Sequence, residues 1–367
     1  MKKALIIGMG KSGKAAKALL EKKGYYPVCF DGKGGELPKN LDLVILSPGV
    51  PPSHTLVQQA QAASVEVIGE MELGLRYLQQ RAIGITGTNG KTTTTLLITH
   101  ALQSSRIKAR AVGNVGLPLC EYLLAPNLKE TLVLEFSSFQ LETCTTKALE
   151  SAILLNITPD HLDRYENFEA YAKTKFRIGE LCETLWLGED VKKIFETYSP
   201  TRDTREYNEV SFLQSIGADA AQARESFVYP QHRFERLKTL HGVEFVNDSK
   251  ATNVEAVLHA LKQVDRSVLL LVGGRDKGAN FMDLLPSLKK VRKIFAFGEA
   301  GGKIEMALKG SCEISRFGTL EESFAQAAKE AKEGEMVLLS PACSSLDAFA
   351  NFEKRGEKFK QMVEELS

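Results

Sequence analysis

Lys91 and Thr92 close a run whose residue types suit one task, the holding of a polyphosphate: Gly84-Ile85-Thr86-Gly87-Thr88-Asn89-Gly90-Lys91-Thr92-Thr93. A loop of this kind needs glycines so that successive backbone N–H groups can turn inward on the phosphates. It also needs a lysine for the β/γ oxygens and a hydroxyl for Mg²⁺. The spacing departs from the strict Gly-x4-Gly-Lys form, because Ile85 stands where the first glycine belongs. A chance glycine turn does not explain the Lys-Thr pair. Gly87, Thr88, Asn89, Gly90, Lys91, Thr92 and Thr93 are therefore the candidate ATP contacts.

Four further groups of residues could carry chemistry. Gly8-x-Gly10-x-x-Gly13, with Asp31 about twenty positions on, suits a diphosphate on a helix N-terminus and a ribose hydroxyl on the acid. The same pattern is also met as a plain tight turn. Glu135, Ser137 and Gln140 follow one apolar run, and Asn156 to Asp163, with His161 inside it, follow another. A lone histidine is more often structural than a ligand. Beside a phosphate loop on the same sheet, Glu135 and His161 become candidate Mg²⁺ ligands. The last group is Asn247 to Asn253, Gly273 to Gly278 and Ser340 to Asp347, each after an apolar run. With Lys250, Arg275 and Lys277 these turns could form a carboxylate pocket; the bland alternative is solvated lysines.

The elements that must position these residues read as strands alternating with helices, which indicates parallel sheets with crossover helices. Strands are predicted over 4–7, 26–30, 43–46 and 65–68, then 82–86, 131–135 and 152–156, then 243–246, 268–272, 293–297 and 336–339. Helices are predicted to about residue 23, over 70–80 and over 92–103. Residues 207–231 read as a polar linking stretch. The expected architecture is three α/β domains in series, over residues 1–79, 80–230 and 231–367.

Bulk composition narrows the setting. The chain has 367 residues, too many for one ordinary core. Lysine and arginine total 47 against 46 acidic residues, so no global field favours nucleic acid or an anionic membrane. The six cysteines show no CxxC pair or metal-ligand spacing, as expected of reduced thiols. The N-terminal run ALIIGMG is followed by lysines with no small-residue cleavage site. No stretch approaches the ~20 apolar residues of a membrane span. A cytoplasmic location is expected.

Through these motifs the whole chain resembles the Mur ligase family. The resemblance rests on GITGTNGKTTT, GNVG (113–116), EFSSFQLE (135–142) and NITPDHLDRY (156–165). It rests equally on HRFE (232–235), NDSKATN (247–253) and SPACSSLDAFANFEKRG (340–356). HRFE, NDSKATN and the last motif resemble those of the branch that adds D-glutamate to UDP-N-acetylmuramoyl-L-alanine, which implies a role in peptidoglycan synthesis, hence in cell shape and division. The resemblance implies a UDP-binding Rossmann-like domain, a central ATPase domain and a C-terminal amino-acid domain. It assigns Lys91 to ATP, Thr92 and Glu135 to a first Mg²⁺, and His161 with a carbamylated lysine to a second. That lysine would be Lys175, with Lys173 the alternative register. Ser12, Asp31, Gly49, Asn114, Ser137 and His161 would contact the UDP substrate. Thr252, Lys277, Ser345 and Phe352 would hold D-glutamate, while Arg233, Asp248 and Lys250 would close over ATP. Asn208 would lie near the adenine, and a monomer is expected.

Two departures from the family pattern stand out. Residues 178–232 are markedly shorter, and Tyr207-Asn208 replaces the usual His-Asn. The rival readings are a nicotinamide oxidoreductase, another Mur-type amino-acid ligase, and a nucleotide-binding regulator descended from one. The oxidoreductase leaves the phosphate loop and last domain unexplained. The regulator would be marked by loss of Lys91, Glu135, His161 or Lys277, and all four are present.

Overall fold

The computed structural model describes residues 1–32, 34–198 and 204–366. Its strands form three sheets. The first has β1 (Lys2–Ile7), β2 (Tyr25–Phe30), β3 (Leu43–Leu46) and β4 (Val67–Gly69) in the order β2-β1-β3-β4. The second has β5 (Ala82–Thr86), β6 (Ala109–Gly113), β7 (Thr131–Glu135), β8 (Leu149–Leu154), β9 (Cys182–Leu187) and β10 (Thr204–Glu206). Its order is β10-β9-β8-β5-β7-β6, and every pairing is parallel. The third has β11 (Glu235–Leu240), β12 (Val243–Asn247), β13 (Val268–Gly273), β14 (Val291–Phe297), β15 (Glu313–Arg316) and β16 (Met336–Ala342). Its order is β11-β12-β16-β13-β14-β15, with only β11 antiparallel.

The central strands are buried on both faces, as a parallel sheet covered by helices requires. All five residues of β5 and all six of β13 are buried. On one side of the second sheet Ile83, Ile85 and Val133 pack with Ile98, Ala101 and Leu102 of the helix Lys91–Ser104. Phe212, Leu213 and Ala223 join the same core. They come from two helices, Glu209–Ser215 and Ala220–Ser226, capped by Asn208 and Asp219. The stretch expected to be a polar linker is thus part of the fold. Its apolar residues are too few and widely spaced to announce themselves, and each helix begins at an N-cap side chain.

Residue contacts divide the chain into two compact units. One holds Met1–Ile157 and Glu166–Val228, with the first two sheets; the other holds Thr158–Tyr165 and Tyr229–Ser367, with the third. Within the first unit the helix Glu70–Tyr77 bridges the two sheets. Glu72 Oε2 accepts from the backbone N–H groups of Thr145 and Thr146, and Glu70 Oε1 from that of Cys120 at 2.7 Å. No helix among the described residues is long and apolar enough to cross a membrane.

Candidate active site

Polar residues gather where strands of an open α/β sheet end, beyond their carboxyl termini. In the first sheet these ends carry Gly8 to Gly13 after β1, Asp31 after β2 and Ser47 to Gly49 after β3. Ser47 Oγ donates to Gly8 O at 2.7 Å, tying adjacent loops together. A Cβ on Gly13 would lie 2.0 Å from Gly8 O, so only glycine lets the helix Lys11–Lys22 start this close to the turn. Asp31 is exposed and its Oδ1 accepts from Met9 N at 3.4 Å, leaving most of the carboxylate to solvent. Ser12 lies in the helix's first turn and Gly49 on an open loop.

The phosphate loop follows β5 at the centre of the second sheet. Asn156, after the neighbouring β8, clamps it: its Oδ1 accepts from Asn89 N at 2.8 Å and its Nδ2 donates to Asn89 O at 3.0 Å. Thr88 N also donates to Asn156 O at 2.9 Å. Gly87 takes φ +155°, a region that L side chains rarely adopt. Gly90 precedes the helix Lys91–Ser104, so Lys91, Thr92 and Thr93 form its first turn and its N–H groups face the loop. Lys91 Nζ donates to Gly87 O at 2.9 Å and Thr88 O at 2.8 Å.

Glu135 closes β7, the other neighbour of β5, and is almost fully buried. Asn114, after β6, donates Nδ2 to Glu135 Oε1 at 2.6 Å. Glu135 Oε2 has no hydrogen-bond partner among the described residues. A buried carboxylate oxygen left over in this way suits a hard cation, so Glu135 and the Thr92 hydroxyl fit Mg²⁺. No group of three or more His, Cys, Asp or Glu side chains that could hold a metal occurs among the described residues.

Lys175 and Lys173 differ sharply in surroundings. Lys173 is exposed and pairs with Glu169 one turn earlier, at 2.6 Å. Lys175 is 1% exposed; its Nζ donates to Gly87 O at 2.7 Å and sits over the Tyr171 ring. Tyr171 Oη in turn lies 3.0 Å from Thr88 Oγ1. The helix Phe168–Phe176 thus delivers Lys175 and Tyr171 against the phosphate loop. Ser137 and Gln140 form a capping box at the helix Ser138–Leu141. Asn208 spends its side-chain oxygen as an N-cap on Ser211 N, a structural use that the sequence did not reveal.

The third sheet brings its polar turns together, because β12, β16 and β13 are neighbours. Arg355, fully buried, fastens two of them: its guanidinium donates to Ser249 Oγ and O and to Cys343 O. Burial lowers its pKa to about 10. Asp248 accepts from Ser340 Oγ at 2.8 Å and from Phe234 N at 3.1 Å, and burial pushes its carboxyl up to about 7. Arg233 lies between His232 and Phe234, both in the left-handed region. Lys250 Nζ stands 3.8 Å from the centroid of the Phe352 ring. Ser345 is buried and Thr252 half-buried. Lys277 Nζ is 2.5 Å from Asp160 Oδ1. Burial works against the ionised Asp160, but Lys277 and His161 outweigh it and hold the pKa below the ordinary carboxylate value. His161, at φ +55°, belongs with Asp160 to the second compact unit, whereas Thr92, Glu135 and Lys175 belong to the first.

Together these features define a multi-domain α/β enzyme that binds a nucleoside triphosphate on a phosphate loop. The family model of the Mur ligase middle domain matches residues 85–241, and that of the Mur ligase glutamate ligase domain matches residues 232–343. A UDP-N-acetylmuramoylalanine–D-glutamate ligase of Protochlamydia amoebophila (strain UWE25) is 37% identical, covering 99% of this chain and 98% of the relative. Its counterpart from Aquifex aeolicus (strain VF5) is also 37% identical, over 99% and 98%. The crystal structure of the Thermotoga maritima MurF ligase in complex with ADP shares the fold at TM-score 0.65 and 16% identity, covering 100% and 96%. The chain belongs to the Mur ligase family. The alignment to the Protochlamydia relative runs over 433 positions against 367 residues here, so that relative carries residues this chain lacks.

Proposed function

We propose that the chain is an ATP-dependent amide ligase joining D-glutamate to UDP-N-acetylmuramoyl-L-alanine in peptidoglycan precursor synthesis. The observation that carries this reading is the near-full-length identity to ligases named for that reaction, together with an intact phosphate loop and Glu135. On this reading each sheet marks a domain, close to residues 1–79, 80–230 and 231–367, and the enzyme works as a cytoplasmic monomer. Neither nucleic acid nor a membrane takes part.

The loop N–H groups and Lys91 hold the β/γ-phosphate oxygens of ATP while the muramoyl-peptide carboxylate attacks the γ-phosphorus, breaking its bond to the β,γ-bridging oxygen so that ADP leaves and an acyl phosphate forms. Lys91 then exchanges its loop carbonyl partners for phosphate oxygens and neutralises developing charge. Thr92 and Glu135 would hold a Mg²⁺, which would supply further neutralisation of the phosphates, and His161 with a carbamate on Lys175 would hold a second ion. The D-glutamate amine attacks the acyl phosphate through a tetrahedral intermediate that expels phosphate. Lys277, Ser345, Thr252 and Phe352 hold the amino acid. Ser12, Asp31, Gly49, Asn114, Ser137 and His161 hold the UDP substrate. Arg233, Asp248 and Lys250 close over ATP, with Asn208 near the adenine. A carbamate retains an N–H, so Lys175 can keep its bond to Gly87 O after modification.

The test is product formation. ADP, phosphate and a glutamyl-extended UDP product should appear together, and only with ATP, the UDP substrate and D-glutamate all present. ADP release without the extended product would refute the ligase reading.

A further inference from the structure

Lys277 is a long, flexible cation on the turn after β13, and by itself nothing fixes its ammonium. Asp160, 117 positions earlier, does so: its Oδ1 lies 2.5 Å from Lys277 Nζ, and its side chain is 8% exposed. Asp160 is itself oriented from two sides. Asn253 Nδ2 donates to its Oδ2 at 3.2 Å, and His161 N donates to its Oδ1 at 2.9 Å. Asn253 cannot swing away, because its Oδ1 caps the helix Val254–Lys262 through Ala256 N. A cap, a carboxylate and an ammonium thus form one relay, all inside the second compact unit. An ammonium has three donors, so Lys277 can keep Asp160 and still offer two N–H groups to another carboxylate.

We infer that Asp160 is a positioning residue of the amino-acid site: it fixes the Lys277 ammonium so that the remaining N–H groups meet a carboxylate of the incoming acidic amino acid. This rests on the ligase reading above. The pair brings +1 and −1 together, so the site's attraction for the amino acid comes from directed hydrogen bonds more than from net charge. Choice of acceptor then depends on where the ammonium is held. An untethered Lys277 still carries its charge but spreads over several rotamers, and ordering it again is a cost carried by substrate binding.

The experiment compares wild type, Asp160→Asn, Lys277→Met and the double variant, measuring KM for D-glutamate, KM for ATP and kcat. Asp160→Asn keeps size and removes the charge; it should raise KM for D-glutamate roughly tenfold with KM for ATP nearly unchanged. In the double variant the Asp160 effect should vanish, because no ammonium is left to place. An unchanged or lower KM for D-glutamate in Asp160→Asn overturns the inference, a lower one showing that Asp160 competes with substrate. Equal effects on both KM values, or additivity in the cycle, also overturn it by reducing Asp160 to general structure. Asn253→Ser covers the case in which Asp160→Asn does not fold. It keeps a capping oxygen, loses the donor to Asp160, and should raise KM for D-glutamate less but in the same selective way. A wild type that does not use D-glutamate refutes the ligase reading; a D-glutamate-dependent wild type with no selective variant effect refutes only this inference.

Discussion

Lys91 and Lys175 both reach Gly87 O, yet they present different chemistry. Lys91 sits in the first turn of a helix and is part-buried, so its ammonium can leave the loop carbonyls for phosphate. Lys91→Ala should lower ADP formation roughly 10²–10³-fold, since it deletes a preorganised charge from the transition state; near-normal release would remove the phosphate-loop assignment. Lys175 is sealed against Tyr171 and the loop, where a cation is costly unless modified or paired. Lys175→Ala should lose most activity and recover part of it with added acetate, which replaces the carbamate's oxygens. Full activity without acetate would exclude a carbamate from the mechanism. The phosphate loop was legible from sequence because it is contiguous, whereas Lys175, with Lys173 as the alternative, was implied only by the family resemblance, and burial is what sets the two apart. Asp160 with Lys277 and Arg355 with Ser249 were not legible, being joined over 117 and 106 positions. Asp160 follows β8 of the second sheet while Lys277 follows β13 of the third, and only Ser249 and Arg355 both belong to the last segment of the chain.

Most elements read from apolar runs were buried strands, although β2 and β4 lie at the edges of the first sheet; the strands not read were β6, β9, β10, β11 and β15. β6, β10, β11 and β15 lie at sheet edges, where one side faces no neighbour and polar residues are tolerated, whereas β9 is an inner strand whose Cys-Glu-Thr start breaks up its apolar run. In β11, Glu-Arg-Leu-Lys-Thr-Leu, exposure alternates along the strand, so its apolar content is too thin to register as a run. The helix Glu70–Tyr77 was read from its pattern, but its acidic first turn gains meaning only against the neighbouring segments. Glu70 Oε2 has no hydrogen-bond partner among the described residues, and burial raises the Glu70 carboxyl to about 7. A folded-state pKa above the ordinary glutamate value of about 4.5 means that the folded chain binds the extra proton. That stabilisation is present below about 4.5 and disappears as pH rises through about 7. Relative to wild type, Glu70→Gln should therefore gain thermal stability between pH 5 and pH 8, by on the order of 1–3 kcal/mol. Melting curves that stay parallel across that range would show that Glu70 does not titrate there.

At the scale of the whole molecule, the three α/β units expected from sequence match three sheets, because βα alternation and glycine turns are local signals. The two-unit division was not legible: residues 158–165 leave β8 of the second sheet yet group with the last unit, through Asp160. On the proposed reading the third sheet's turns choose the acceptor, so the amino acid is the point at which that reading is most exposed. The most direct measurement is ADP release with ATP and UDP-N-acetylmuramoyl-L-alanine fixed, while D-glutamate, L-glutamate, D-alanine, L-alanine and diaminopimelate are supplied one at a time. Rapid release is expected with D-glutamate and only background with the other four. Equal use of L-glutamate, or faster release with any other acceptor, would contradict it.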